Sequence, residues 1–395
     1  MSTIKWLPTT AMGMNDNPTP GTIIVGSPGS GKTFFLINIA ANCLGMGQRV
    51  IAIDPKNDLG AICNISKNIE VIDINNIRAG ALNPITFLKR ELPDGTFAPI
   101  DTTTLLSVIT LLTGKLDQND IIDVTPIIED FVNSVRRNNE YHDMTDVANY
   151  LYKNKSLACQ KVGTLLRKYQ DSKYGPLLFT DETNIEPLII SKEKSLLITM
   201  HGMELPDYNK KAEDYTDNER FTSAIIYIIT RKLLDILNQE NEIPVAFICD
   251  EAHLLFGNKE MAQIIDRFLV LGRSLNVATV LASQGISHFP AGIANYLSSK
   301  FMFKSSMDEA SAFLDLFNSS LTTPVDVNSL LPAVTNFPQG VCFFIDRKNR
   351  NGIIKITSNY DIDLITSNPL QKKKRKKKLE EQSILDEYDE EEEEN

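Results

Sequence analysis

Gly26-Ser27-Pro28-Gly29-Ser30-Gly31-Lys32-Thr33 fits the pattern G-x-x-x-x-G-K-[ST] at every fixed position. The apolar run Thr22-Ile23-Ile24-Val25 precedes it as a short strand, and Thr33 to Leu44 follows it as an apolar helix. Strand, glycine-rich turn and helix in that order are the context in which such a loop holds phosphate. Glycines let the backbone close on the anion, and the N–H groups of the loop and helix start surround it with positive charge. Lys32 is predicted to reach the β- and γ-phosphates of ATP, and the Thr33 hydroxyl to ligate Mg²⁺. Gly26, Ser27, Pro28, Gly29, Ser30, Gly31, Lys32 and Thr33 together form the expected nucleotide-binding set.

Working outward, Arg49-Val50-Ile51-Ala52-Ile53-Asp54 reads as a second strand ending in a carboxylate. Strands alternating with helices predict an α/β fold with a mostly parallel central sheet flanked by helices. Further along, Val245-Ala246-Phe247-Ile248-Cys249 is another buried-strand run, and it delivers Asp250-Glu251 to the sheet's carboxyl edge. There Asp250 is expected to hold the Mg²⁺ shell, and Glu251 to polarise an attacking water. The strand Val277 to Ala282 ends in Ser283-Gln284, where the glutamine is placed to sense the γ-phosphate or orient the water. Gly272-Arg273-Ser274 precedes that strand. Arg273 reads either as an arginine finger for a neighbouring subunit's nucleotide or as a surface arginine favourable to a helix C-terminus. Lys32, Glu251, Gln284 and Arg273 are therefore the candidate catalytic residues, with Thr33 and Asp250 on the metal.

Between about Asp101 and Lys173 strand-like runs disappear, and Val124 to Arg137 and Thr145 to Arg167 show helical spacing. The organisation expected is a first part of the core over 1–100, an all-helical insertion over 101–180, and a second core part over 181–365. The last segment, 366–395, is a disordered tail. It carries seven consecutive bases, Lys372 to Lys378, followed by ten acids between Glu380 and Glu394. Like-charge blocks repel and cannot build a core. The tail reads as a solvated end, a salt-sensitive DNA tether, or an acidic docking peptide. The first 20 residues read as a polar lead.

Composition narrows the class. The chain carries 40 Lys+Arg against 51 Asp+Glu, a formal net charge of −11, of which −8 lies ahead of the tail. A uniform basic coat for nucleic acid or anionic membrane is excluded, though a local basic path is not. The 5 cysteines are scattered with no C-x-x-C pair, which fits a reducing compartment and neither a disulfide framework nor a zinc site. No apolar run reaches membrane-spanning length, and Pro8 interrupts the N-terminus before any signal-peptide core. A cytoplasmic protein is expected.

These residues resemble the HerA/FtsK-type motor ATPases. The phosphate loop, Asp54-Pro55-Lys56, the Asp250-Glu251 strand and the Gly272-Arg273 to Ser283-Gln284 segment match that superfamily in order. Within it the chain is most similar to conjugation and type IV secretion ATPases. Ala79-Gly80-Ala81-Leu82-Asn83-Pro84, Tyr174-Gly175-Pro176-Leu177-Leu178-Phe179 and Phe337-Pro338-Gln339-Gly340 before a terminal strand carry this likeness. The resemblance covers roughly residues 20–358. It implies a RecA-like P-loop core, a homo-hexameric ring, nucleotide at subunit interfaces and Arg273 acting in trans. It further implies DNA, a relaxosome or type IV secretion channel proteins as partners, and a peripheral place at the inner face of the membrane. The large N-terminal domain and the membrane anchor of many relatives lack a counterpart, so a separate chain is expected to dock partners. Two other readings stay open: a viral or phage DNA-packaging motor of the same superfamily, and a nucleotide-gated scaffold without turnover. Lys56 is read as contacting phosphate or substrate, or as pairing with Asp54 or Asp58. His253 either couples nucleotide state to the ring or packs at a helix start, and Arg347 and Arg350 are either interface arginines or hairpin-turn residues.

Overall fold

Strands whose neighbouring residues are both apolar can be buried on both faces, and that is how the centre of this molecule is built. A computed structural model describes residues 20–358, apart from 92–96, 99, 115, 139–141, 181–184, 208–209, 239–241 and 257–258. The polar lead and the charged tail lie outside the described residues.

The first half begins with β1 (Gly21–Val25), α1 (Lys32–Gly45), β2 (Arg49–Asp54) and β3 (Ile69–Asp73). A short helix α2 (Pro84–Phe87) and a small hairpin, β4 (Arg90–Glu91) with β5 (Phe97–Ala98), follow. Four helices come next: α3 (Thr102–Thr113), α4 (Gln118–Asn138), α5 (Met144–Tyr152) and α6 (Leu157–Arg167). The chain then returns through β6 (Ser195–Thr199), α7 (Asp217–Leu237), β7 (Val245–Cys249), α8 (Lys259–Leu271), β8 (Val277–Ser283) and β9 (Leu297–Phe303). It ends with α9 (Met307–Phe317), α10 (Val327–Thr335), β10 (Val341–Ile345) and β11 (Asn351–Lys355).

Nine of the described strands form one sheet in the order β11-β10-β9-β1-β8-β7-β2-β6-β3. From β9 to β3 every pairing is parallel, and β10 and β11 add an antiparallel hairpin at one edge. This is a RecA-like P-loop core with a mostly parallel sheet. Successive residues of a strand go to opposite layers. Ile24 packs with Phe35, Leu36 and Ile39 of α1, whereas Ile23 and Val25 join the larger core under α7 and α8. In that larger core Phe247 stacks on Phe268 at 4.9 Å between ring centroids, and truncating either ring to Ala would cost about 3–5 kcal/mol.

α7 is buried along most of its length because the helical segment covers the face that the sheet does not. Its start is fixed by a capping box, with Thr216 accepting from the Glu219 amide and Glu219 returning to the Thr216 amide. Tyr169 donates to the Leu112 carbonyl at 2.7 Å, tying the end of the helical segment to α3. The Asn-Pro segment is local in purpose. Asn83 is fully buried and caps α2, with Pro84 at its first turn. Two backbone bonds, Gly80 to Pro176 and Leu82 to Leu177, join it to the Gly175-Pro176-Leu177 turn. Two segments far apart in sequence thus close the neck of the helical segment together.

Candidate nucleotide site

β1 ends at Val25 and the backbone must turn sharply to begin α1, so the loop relies on left-handed conformations at Gly29 (φ 73) and Gly31 (φ 110). A Cβ at Gly31 would stand 2.9 Å from the Gly340 amide nitrogen, so side chains are excluded there by contact as well. At Gly29 a Cβ would meet nothing within 4 Å, and Pro28 and Gly29 form an open, exposed lip. Lys32 is buried under the loop and donates to the carbonyls of Gly26 at 2.5 Å and Ser27 at 3.2 Å. Burial lowers its ammonium from the ordinary value, while Asp250 and Glu251 pull the other way. Thr33 follows on the first turn of α1, where helical amides have no partner four residues back.

The acid end is assembled from separate strands. β7 delivers Asp250, whose Oδ1 accepts from the Glu251 amide at 3.1 Å. Glu251 itself has φ 61, a left-handed turn rarely taken by a non-glycine residue, and both acids are buried. From β2, Asp54 is fully buried and accepts from the amides of Asp58 at 3.0 Å and Leu59 at 2.7 Å. Burial, then the charges of Glu251 and Asp54, raise the Asp250 carboxyl to about 7. Burial likewise lifts Asp54 to about 6 against its amide donors. Glu251 goes the other way. Burial alone would raise it, but His253 and Lys56 outweigh burial and hold it at about 2.

The sheet order explains how these parts meet. β8 lies between β1 and β7, so Gln284, half-buried at its carboxyl end, falls between the phosphate loop and the acid pair. Arg273 does not join them. It sits exposed in the turn between α8 and β8. Lys56 pairs with Glu251, a partner the sequence did not suggest, since it pointed to phosphate, substrate, Asp54 or Asp58. His253 stands in a short 3₁₀ turn with Nδ1 3.3 Å from Oε2 of Glu251, an ion-pair distance outside regular hydrogen-bond geometry. Its ring packs edge-on against His288, and Nδ1 of His288 lies 2.7 Å from Ser283 Oγ. His288 has no motif to announce it, and Ser283 stands out in the sequence only as the neighbour of Gln284. A cleft of about 360 Å³ opens beside this pair, lined among others by Lys210, Tyr215, His253 and His288.

The C-terminal part also reaches the loop. Gly340, at φ 80, donates to the Ser30 carbonyl at 2.9 Å, so the Phe337 to Gly340 segment braces the phosphate loop. The strand after it is not terminal, since β11 pairs back on β10. Arg350 pairs with Asp346 at 2.6 Å, and Asp346 also accepts from the Lys348 and Arg350 amides. The hairpin-turn reading of that segment therefore holds, with Arg350 engaged inside the turn.

The residues present fit a magnesium nucleotide. Among the described residues the buried Ser30 hydroxyl finds no hydrogen-bond partner, and Gly29 leaves open the space a Cβ would fill. Among the described residues no group of three or more His, Cys, Asp or Glu is placed to hold a metal ion without other ligands. Mg²⁺ on a nucleotide takes one or two protein ligands and completes its shell with phosphate and water. Thr33 and Asp250 supply that donor chemistry.

Comparison with known proteins agrees with this construction. A family model described as an AAA-like domain matches residues 10–366. The uncharacterized protein YddE of Bacillus subtilis (strain 168) is 23% identical over 288 residues, 67% of this chain and 33% of its own. The chain thus spans about a third of the length of that curated relative. The structure of VirB4 of Thermoanaerobacter pseudethanolicus superposes with a TM-score of 0.65 at 15% identity, covering 87% of this chain and 91% of that one. The plasmid coupling protein TrwB in complex with ADP and Mg²⁺ gives 0.51 at 14% identity, covering 91% of each chain. At these identities the likeness is one of fold. Among the described residues, no helix is long and apolar enough to cross a membrane.

Proposed function

We propose, on the premise that the chain belongs to the AAA-like domain family, that it is an ATP-hydrolysing ring motor of a conjugation or type IV secretion system. The observation that carries this reading is the convergence of three strand ends. β1 brings the phosphate loop, β8 brings Gln284 and β7 brings Asp250 and Glu251, side by side in one sheet. In this reading the loop amides and Lys32 bind the phosphates, and Gln284 orients the attacking water. Thr33 and Asp250 hold Mg²⁺, which neutralises charge on the phosphates when bound. Glu251 takes the proton of the water as its oxygen bonds to the γ-phosphorus and the bond to ADP breaks.

Arg273 is then the residue that completes a neighbour's site. Its exposed position suits action in trans within a homo-hexamer, since a finger must leave its own subunit to work. The work done is DNA transfer or assembly of the secretion channel, at the inner face of the membrane through partner proteins, with the charged tail as a contact for DNA or relaxosome. Two measurements test this. Phosphate release from ATP should depend on Mg²⁺ and be raised by duplex DNA if DNA is moved, or by channel proteins alone if assembly is the task. Mixing inactive Arg273→Ala and Lys32→Ala subunits should restore part of the turnover. Recovery of none, with subunit exchange verified, would rule out Arg273 acting in trans.

A further inference from the structure

Gln284 sits in a turn that is tied down from two directions. Inside the turn, Nδ1 of His288 lies 2.7 Å from Ser283 Oγ, so the chain closes on itself across Gln284. From outside, Glu309 of α9 takes hold of Ser287. Its Oε2 accepts from the Ser287 amide at 3.2 Å, and its Oε1 accepts from the Ser287 hydroxyl. The same carboxylate covers Gly285, where a Cβ would collide with it. Gly285 is buried and its backbone is extended, so glycine serves this contact and not a torsion.

Glu309 gives up a local bond to make these contacts. Ser306-Met307-Asp308-Glu309 opens α9 with the spacing of a capping box, and the Ser306 hydroxyl accepts from the Glu309 amide at 3.3 Å. In α7, which starts with the same spacing, Glu219 returns to the amide of its cap residue Thr216. The Glu309 carboxylate instead leaves its own helix and crosses to a residue 22 positions earlier in the chain. The place of α9 shows what this tie can do. β9 pairs with β1, and the Lys304 carbonyl just past its end accepts from the Ser27 amide of the phosphate loop at 2.7 Å. From the other side, the Gly26 amide donates to the Ser283 carbonyl at 3.3 Å. The stretch from Lys304 to Glu309 therefore touches the phosphate loop at one end and the Gln284 turn at the other.

We propose that Glu309 is a positioning residue for Gln284, holding the turn after β8 in register with the phosphate loop so that the glutamine meets the attacking water at one fixed place. This rests on the hydrolytic reading, since Gln284 has a water to orient only if ATP is split. The Glu309 carboxylate is spent on Ser287 and Gly285, so its effect on turnover runs through Gln284.

The test uses the full chain with Glu309→Ala, Glu309→Gln, Gly285→Ala and Gln284→Ala, alone and in pairs, in ATP hydrolysis. Misplacing a reacting group by about 1 Å costs about 10²-fold. With the Ser283 bonds to Gly26 and His288 still in place, Glu309→Ala should lower kcat by less, about tenfold, and leave KM unchanged. Glu309→Gln keeps an acceptor for one Ser287 donor and should recover most of the rate. Gly285→Ala displaces the carboxylate from the other side and should copy Glu309→Ala. The deciding measurement is the double variant: with Gln284→Ala already present, Glu309→Ala should lower kcat no further. Hydrogen exchange of peptides spanning 284–290 reads the tie without turnover and should quicken in Glu309→Ala. Equal losses from Glu309→Ala in the parent and in Gln284→Ala would mean a general loosening of the fold and overturn the role. So would a Glu309→Ala with the parent's kcat, a loss carried by KM alone, or unchanged exchange. If the parent releases no phosphate, or Gln284→Ala keeps the parent's rate, the hydrolytic reading of Gln284 fails and the positioning role with it, a result read without any Glu309 variant.

Discussion

At the carboxyl end of β1, eight consecutive residues make the phosphate loop, and their chemistry is mostly backbone: glycine torsions, amide dipoles and one lysine folded beneath. At the carboxyl end of β7 the acid cluster draws on Asp54 and Lys56 from β2, Asp250 and Glu251 from β7, and the His253–His288 pair. The loop holds its one charge over its own carbonyls, whereas the cluster buries three carboxylates, with the charges of Glu251 and Asp54 raising Asp250. A site of the first kind fails when its backbone is disturbed. A site of the second kind fails when its charges are rebalanced, with the fold intact.

The largest effects should fall on turnover and separate the two halves by mode. Lys32→Ala removes the cation under the loop and should lower phosphate release by about 10²–10³-fold, with nucleotide binding weakened as well. Glu251→Gln should lower it by a comparable factor, about 10²–10⁴-fold, while nucleotide binding measured by fluorescence stays near the parent's. If Glu251→Gln lost nucleotide as readily as Lys32→Ala, the division into a binding half and a chemical half would be wrong.

A smaller effect, on stability, should set two positions of the loop half apart. Gly31→Ala places a Cβ against the Gly340 amide and forces a left-handed torsion, so a loss of about 2–3 kcal/mol is expected in urea unfolding. Gly29→Ala meets open space and carries only the torsional cost of about 1 kcal/mol. Equal losses at the two positions would show that the brace from Gly340 contributes nothing.

The same contrast governs what could be read in advance. The loop is contiguous and its motif carries its own mechanism, so Gly26 to Thr33 was legible residue by residue, and so was the parallel core around it. The acid pair was legible because it ends a buried strand. Its neighbours were not: nothing in spacing says that Lys56 meets Glu251, because that contact depends on β2 lying beside β7. β8 between β1 and β7 is likewise a fact of topology. Weaker elements escaped for local reasons. β3 is an edge strand with exposed residues, while α9 and α10 are short helices announced only by their caps, Ser306 with Glu309 and Asp326. Arg273 remains where the sequence left it, an exposed residue in the turn before β8.

The smallest expected effect probes how the acid half tolerates its charges. Asp54 has an ordinary value near 3.8 and is raised by burial to about 6, so between those limits the folded protein binds more protons than the unfolded chain. Stability from this group is therefore present below about pH 4, falls as pH climbs through 6, and is level above it. At about 1.4 kcal/mol per pH unit, two units cap the change at about 3 kcal/mol. Asp54→Asn removes this titration, and its amide oxygen can still accept from Leu59 or Asp58, at a cost of about 1 kcal/mol for the bond less well made. In urea unfolding with EDTA at pH 4.5 and pH 7, the parent should lose more stability between the two than Asp54→Asn does. A parent and variant with parallel profiles would mean that Asp54 stays charged throughout, held by its amide donors, and that the crowding of the acid end rests on Asp250 and Glu251 alone.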